Sequence, residues 1–163
     1  MQRIFSFSPR HIGLAAFPFL LCVGTSHAQP RRVAVLKAQA ARIDRNLKRY
    51  GRVERDLPGR STEGGNLTFY SLGSSPRKLF AQYFGESGKA TEEFYFRNNS
   101  LFRMRRRNST YDKLYGKVVA TEETNFYFNG GKLLPGSSKA ETPYSAREIL
   151  EDARDLLRLS KRK

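Results

Sequence analysis

Two stretches of the chain share one order of aromatic, turn-forming and apolar residues. Residues 94–102 read Phe-Tyr-Phe-Arg-Asn-Asn-Ser-Leu-Phe, and residues 126–134 read Phe-Tyr-Phe-Asn-Gly-Gly-Lys-Leu-Leu. Aromatic residues favour half-buried strands, and Asn and Gly tolerate the positive φ angles of tight turns. The pattern therefore predicts two β-hairpins in succession.

The turn of the first hairpin sets which side chains share a face. A three-residue turn, 98–100, pairs Phe94 with Met104 and Phe96 with Phe102, so that the large apolar groups gather on one side. A two-residue turn would instead place Phe94 opposite Arg103 and divide that apolar set between the two faces. We therefore predict the three-residue turn.

Further alternating segments extend the hairpins into a meander. The predicted strands cover residues 67–72, 78–84, 89–97, 101–107 and 117–128. Residues 56–66 and 108–115 are rich in turn-forming and polar residues, which predicts loops. An antiparallel sheet of about five or six strands follows.

Helical stripes flank this sheet at both ends of the chain. Apolar residues step by three and four at Val33, Leu36, Ala40, Ile43, Leu47 and Tyr50, and again at Ala146, Ile149, Leu150, Ala153, Leu156 and Leu157. Ser145 and Glu148 have the spacing of a capping box. The first helix is also basic, so it could lie on an anionic membrane, but packing on the sheet is the interpretation we adopt.

The predicted fold class is α+β: an antiparallel meander covered by an N-terminal and a C-terminal helix. Both helices are expected on the sheet face that carries Phe94. The predicted buried residues are Phe94, Phe96, Phe102, Met104, Phe126 and Phe128 in the sheet, with Leu36, Ile43, Leu47, Ile149, Leu150 and Leu156 above them.

The first 28 residues have the form of an export signal. Arg3 and Arg10 give a positive start, residues 12–23 are apolar, and small residues Ser26 and Ala28 mark a cleavage site. We therefore expect cleavage near Ala28 and a single domain over residues 29–163. The expected location is periplasmic or extracellular.

Removal of the signal changes what chemistry the chain can carry. Both histidines and the only cysteine lie inside it, and the chain has no tryptophan. Without His or Cys, residues 29–163 build no Ser-His-Asp, Cys-His or ordinary zinc site. We expect no metal and no cofactor, and we assign no catalytic residue.

The charge of the chain favours anionic partners. Without Arg3 and Arg10, 28 basic residues remain against 15 acidic ones, a formal charge of +13. Such a charge attracts nucleic acid, phospholipid headgroups or acidic polysaccharide, although it also serves plain solubility. No recognised nucleic-acid motif is present, so we expect an anionic polymer or membrane surface as partner and no specific nucleic-acid recognition.

The candidate binding residues lie on one predicted strand and its neighbour. Arg103, Arg105 and Arg107 alternate and so project from one face, with Tyr95 opposite Arg103. Guanidinium and aromatic groups side by side suit contacts with phosphates, bases or sugars. A solvated outer strand face is the alternative interpretation.

A second, catalytic interpretation rests on carboxylates. Glu93 precedes the aromatic run of the first hairpin and Glu123 precedes that of the second, and the two could form a glycosidase-type pair. Their neighbours Glu92 and Glu122 must point to the opposite face. Solvated edge charges explain these residues as well.

Several segments resemble a family of small, uncharacterised exported bacterial proteins. The resemblance lies in residues 57–65 (Leu-Pro-Gly-Arg-Ser-Thr-Glu-Gly-Gly), residues 83–90 (Tyr-Phe-Gly-Glu-Ser-Gly-Lys-Ala) and the two Phe-Tyr-Phe hairpins, with Tyr111-Asp112 between them. It implies a secreted meander flanked by helices, and it brings no activity with it. After the second hairpin such proteins have a tryptophan-containing strand, which this chain lacks.

Together these patterns predict an exported protein that is a non-catalytic binding or envelope-associated module with affinity for anionic polymers or surfaces. The alternative is a carboxylate-dependent hydrolase acting on polysaccharide.

Overall fold

The computed structural model describes residues 28–137 and 144–161, with side chains from residue 30 onward. Residues 1–27 of the expected signal therefore lie outside the described residues. The helices are α1 (Ala28–Arg45) and α2 (Ala146–Lys161), and a short 3-10 helix (Leu47–Arg49) follows α1. The strands are β1 (Gly51–Asp56), β2 (Gly65–Leu72), β3 (Ser75–Gly85), β4 (Gly88–Arg97), β5 (Ser100–Tyr111), β6 (Val118–Asn129) and β7 (Lys132–Leu133).

The strands form one antiparallel meander in chain order, from β1 to β7. The α+β class is therefore confirmed, with seven strands in the described chain instead of five or six. The strand that was not predicted is β1, which lies at the edge of the sheet. In this strand only Val53 is partly shielded from solvent. The predicted connection at 108–115 is also shorter than expected, because β5 continues to Tyr111.

The predicted three-residue turn is wrong. Arg97 pairs with Ser100, so the turn contains only Asn98 and Asn99, and both have positive φ angles (49° and 62°). The second hairpin has the same form, with Gly130 and Gly131 between Asn129 and Lys132. Two-residue turns of this kind match the twist of the flanking strands.

A bulge in β5 restores one of the two pairs that we had attributed to the longer turn, Phe94 with Met104, whereas the predicted pair of Phe96 with Phe102 is wrong. Tyr95 pairs with Arg103 and Phe96 pairs with Leu101, which leaves Phe102 as an extra residue. Phe94 therefore still faces Met104, as predicted. Phe102, however, turns to the other face of the sheet, because one inserted residue reverses the alternation.

The sheet is covered on both faces, not on one. Helix α2 packs through Ile149, Ala153 and Leu156 on the face that carries Phe94 and Phe126. Helix α1 packs on the opposite face, which we call the α1 face, where its apolar residues Leu36, Ala40 and Ile43 meet Tyr95, Phe102 and Tyr127. The expectation that both helices cover the Phe94 face is therefore wrong for α1.

The predicted core residues are nonetheless buried. All six sheet residues are at most 3% exposed, and Leu36, Ile43, Ile149 and Leu156 are buried as well. Leu47 and Leu150 are partly buried. Since Phe94 and Tyr95 point in opposite directions and both are shielded, the centre of the sheet lies between two hydrophobic layers.

The start of α2 follows the predicted capping box. The backbone N–H of Ser145 donates to Glu148 Oε2 at 2.6 Å, and the Glu148 N–H donates to Ser145 Oγ at 3.2 Å. These bonds satisfy two donors that a helix leaves unpaired at its first turn. Neither α1 nor α2 has the length and apolar character needed to cross a membrane.

Candidate functional site

The four predicted binding residues share one face of the sheet. Tyr95 faces Arg103 across β4 and β5, Glu93 faces Arg105, and Thr91 faces Arg107. The three arginines therefore project to one side, as their alternation predicts, and Tyr95 lies beside the first of them. This side is the α1 face.

Exposure along this row of arginines increases away from α1. Tyr95 is 0% exposed and Arg103 is 8% exposed, while the Arg107 side chain is 41% exposed. The predicted exposure of Tyr95 and Arg103 is therefore wrong, because α1 lies over both residues. Of the three arginines in this row, only Arg105 and Arg107 reach solvent.

Arg103 is held between aromatic rings. Its guanidinium carbon lies 5.5 Å from the centre of the Tyr95 ring and 5.8 Å from that of Tyr127. Its Nη2 donates to Asn125 Oδ1 at 2.7 Å. These cation–π and hydrogen-bonding contacts give Arg103 a structural role under the helix.

A buried polar network connects α1 to β3 and β4. Lys78 Nζ lies 2.6 Å from Asp44 Oδ1 and 3.4 Å from Glu93 Oε2. The Tyr95 hydroxyl lies within hydrogen-bonding distance of both carboxylates, at 2.9 Å from Asp44 Oδ2. Because Asp44 is on α1 and the other three residues are on the sheet, the network fixes the position of the helix.

The pKa values of this network follow from burial and charge. Burial acts to raise the pKa of Glu93, but Lys78, Tyr95 and Arg105 outweigh it and leave that pKa below the ordinary value. Burial, with Glu93 beside it, raises the pKa of Tyr95. Glu93 is therefore a charged, fully bound carboxylate, and Tyr95 is a neutral hydrogen-bond donor.

Arginine side chains bind both carboxylates of the Glu93–Glu123 pair. Arg105 Nε donates to Glu93 Oε2 at 3.1 Å, and Arg105 Nη1 lies 4.0 Å from Glu123 Oε2. Glu123 also accepts a bond of 2.9 Å from Arg107 Nε. Burial acts to raise the pKa of Glu123, but the hydrogen bonds from Asn125 and Arg107 and the charge of Arg105 outweigh it and leave that pKa below its ordinary value. A general acid needs a raised pKa, so this arrangement does not favour the hydrolase interpretation.

Glu92 lies on the opposite face, as the sequence predicts for adjacent strand residues. It is 4% exposed, accepts a bond of 2.7 Å from Arg106 Nη1, and lies 3.1 Å from the Tyr83 hydroxyl. Burial raises its pKa, although Arg106 partly opposes the shift. The Arg106 guanidinium stacks 4.8 Å from the ring centre of Tyr144, just before α2. The sequence has no local signal for this contact, because it depends on where α2 docks.

A second basic surface, which we call the basic helical surface, lies on α1 and the 3-10 helix. Seven basic residues are exposed there: Arg31, Arg32, Lys37, Arg42, Arg45, Lys48 and Arg49. The only acidic residue between positions 28 and 50 is Asp44, which is bound to Lys78. The basic residues of this helix are visible in the sequence. Alternation does not show which basic side chains are exposed, so it did not favour them over the β5 arginines.

No group of acidic residues that could hold a metal ion occurs in the described part of the chain. No protein-family model, curated protein or solved structure matches this chain. The resemblance to a family of small exported bacterial proteins therefore stays a prediction.

Proposed function

We propose that this protein is an exported, non-catalytic binding module that attaches to anionic polymers or surfaces through its basic helical surface. The observation that carries the proposal is the exposure of seven basic residues within 23 positions whose single carboxylate is already bound by Lys78. A surface of one sign raises the local concentration of oppositely charged partners.

The packing of α1 decides what kind of contact this surface makes. Its large apolar residues Leu36 and Ile43 are buried against Tyr95, Phe102 and Tyr127. Val35 is the one strongly exposed large apolar residue among the described residues of α1, so the helix has less apolar surface to insert into a bilayer than a free amphipathic helix. Binding through the exposed sides must be electrostatic, and it should weaken steeply as salt is added.

The β5 arginines contribute less to such a surface than their number suggests. Arg103 is buried, Arg105 binds Glu93, and Arg107 binds Glu123. An arginine already bound to a carboxylate has little net charge to offer to a second anion. By contrast, none of the seven basic residues of the helical surface forms an ion pair with another described residue.

The test is binding of residues 29–163 to heparin and to vesicles that contain anionic phospholipid, at low and at physiological salt. The variant R45Q/K48Q/R49Q removes three charges from the basic helical surface. The matched control K113Q/K117Q/R154Q removes three exposed charges that lie outside this surface and, like Arg45, Lys48 and Arg49, form no ion pair with another described residue. Each basic residue near an anionic surface contributes about 1 kcal/mol, so the first variant should bind about 10- to 100-fold more weakly.

The control variant should change affinity by less than about threefold in the same assay. Equal weakening by both variants would show that net charge, not the helical surface, causes the binding. Undiminished binding by the first variant at every salt concentration would overturn the proposal.

A further inference from the structure

A groove opens between the first turns of α1 and the adjoining ends of β4 and β6. Its volume is about 720 Å³. Volumes of about 300–1,000 Å³ are typical of small-molecule sites that combine an apolar lining with a few convergent polar groups. The groove lies at one end of the basic helical surface but has a different composition.

The rim of the groove is cationic. Arg31 and Arg32 border it from α1, and Arg97 borders it from the end of β4. All three are exposed. Among residues 30–137 and 144–161, no carboxylate lines the groove and none of the three arginines forms an ion pair. Arg97 Nη1 donates to Gln39 Oε1 at 3.2 Å, which holds this guanidinium beside the helix.

The floor of the groove is apolar. It is formed by Val35 and Leu36 of α1 and by Leu134 beyond β7, while Phe128 and Asn129 border it at the end of β6. Val35 is 51% exposed, although it lies on the same helix as the buried residues that meet the sheet. A bound apolar chain would remove this surface from water.

We propose that the groove binds a single-chain amphiphile with a phosphate headgroup. The alkyl chain lies on the apolar floor, and the phosphate is held by the guanidinium groups of Arg31, Arg32 and Arg97. Arginine forms bidentate hydrogen bonds with phosphate oxygens, and three guanidinium groups suit a headgroup with up to two negative charges.

The cationic rim and the apolar floor together favour a ligand that has both an anionic headgroup and an alkyl chain. A polyanion without apolar groups would satisfy the arginines but leave the exposed Val35 side chain in water. A neutral amphiphile would cover the floor but leave three cations without a partner. This inference goes beyond the proposed function, which requires only the charge of the helical surface.

The test uses residues 29–163 and isothermal titration calorimetry with dodecyl phosphate below its critical micelle concentration. Octyl phosphate, inorganic phosphate, dodecanoate and dodecyl maltoside serve as comparison ligands. Each buried methylene should tighten binding about fourfold, so dodecyl phosphate should bind much more tightly than octyl phosphate. Inorganic phosphate and dodecyl maltoside should each bind at least about tenfold more weakly than dodecyl phosphate.

Two variants locate the site. R31Q/R32Q/R97Q removes the charge of the rim, and Val35→Glu places a carboxylate beside it at an exposed position that folding tolerates. Both should weaken dodecyl phosphate binding at least about tenfold, while R45Q/K48Q/R49Q should leave it within about twofold. Unchanged thermal unfolding would confirm that each variant is folded.

Several results would overturn the inference. The first is equal weakening of dodecyl phosphate binding by R31Q/R32Q/R97Q and R45Q/K48Q/R49Q, and the second is equal affinity for octyl phosphate and dodecyl phosphate. The others are tighter binding of dodecanoate than of dodecyl phosphate, and binding of dodecyl maltoside as tight as that of dodecyl phosphate. The proposed function is tested separately, because R45Q/K48Q/R49Q should weaken heparin binding and yet leave the groove intact.

Discussion

The Lys78 ammonium group lies 2.6 Å from the Asp44 carboxylate and joins strand β3 to helix α1 beneath the helix. The Lys78 side chain is 8% exposed, so its charge depends on Asp44 and Glu93 for compensation. This contact, with the Tyr95 hydroxyl beside it, explains how a strongly basic helix stays bound to a face that carries arginines.

We expect Asp44→Asn to lower the free energy of unfolding by about 1–3 kcal/mol, because it leaves Lys78 with Glu93 as its remaining carboxylate. The partial exposure of Asp44 keeps the loss below that of a fully buried pair. Urea unfolding of Asp44→Asn, Lys78→Met and the double variant measures the coupling. If the two losses simply add, the residues do not interact in solution.

Glu92 and Glu93 should give opposite pH dependence, because their pKa values are shifted in opposite directions from 4.5. The folded pKa of Glu93 is lowered, so its stabilisation is present above about pH 4.5 and is lost as the pH falls through the folded value. The folded pKa of Glu92 is raised, so its contribution falls as the pH rises from about 4.5 through the folded value.

The measurement is urea unfolding of the wild type, Glu92→Gln and Glu93→Gln between about pH 3 and pH 7. Relative to Glu93→Gln, the wild type should lose stability toward acid. Relative to Glu92→Gln, it should lose stability toward neutral pH. If the stability difference between the wild type and each variant changes with pH in the same direction for both variants, the two carboxylates do not lie in different environments.

The stability of the first hairpin should depend on which residue stands at position 99 of its turn. Asn99→Val should lower the free energy of unfolding by about 1–2 kcal/mol, because a β-branched residue is strained at a φ of 62°. Asn99→Gly should leave the stability equal or higher. Ser100→Val is the control, since Ser100 lies at the start of β5, and a loss there as large as that of Asn99→Val would disagree with the two-residue turn.

Phe102 and Phe126 should affect different helices. Each change to Ala should cost about 3–5 kcal/mol, because both rings are buried. Hydrogen exchange should show that Phe102→Ala loosens α1 more than α2, whereas Phe126→Ala loosens α2 more than α1. The same ranking of the two helices in both variants would argue against their placement on opposite faces.

Some strands of the sheet can be predicted from the sequence, and others cannot. The hairpins of β4–β7 carry clear aromatic and turn signals, so their existence and most of their pairing were predictable. Residues 94–96 are aromatic at every position, however, and such a run does not show whether one face or both are covered. Strand β1 reads Gly-Arg-Val-Glu-Arg-Asp and has almost no apolar alternation, so its pairing with β2 could not be recognised.

The candidate site shows the same limit. Alternation correctly placed Arg103, Arg105 and Arg107 on one side with Tyr95. Whether that side meets solvent depends on α1, which docks there because the Phe102 bulge and Tyr127 complete an apolar patch for it. Neither the bulge nor the long-range contact between Lys78 and Asp44 has a local sequence signal.

The most direct test of the proposed function is a map of amide chemical shifts of residues 29–163 on addition of heparin at low salt. We expect the largest changes within residues 30–50, with smaller changes at Arg105, Arg107 and Glu123. The changes should disappear at high salt, because the contacts are exposed charges. Largest changes on β5 and β6, or equal changes over the whole surface, would contradict the assignment of anion binding to the basic helical surface.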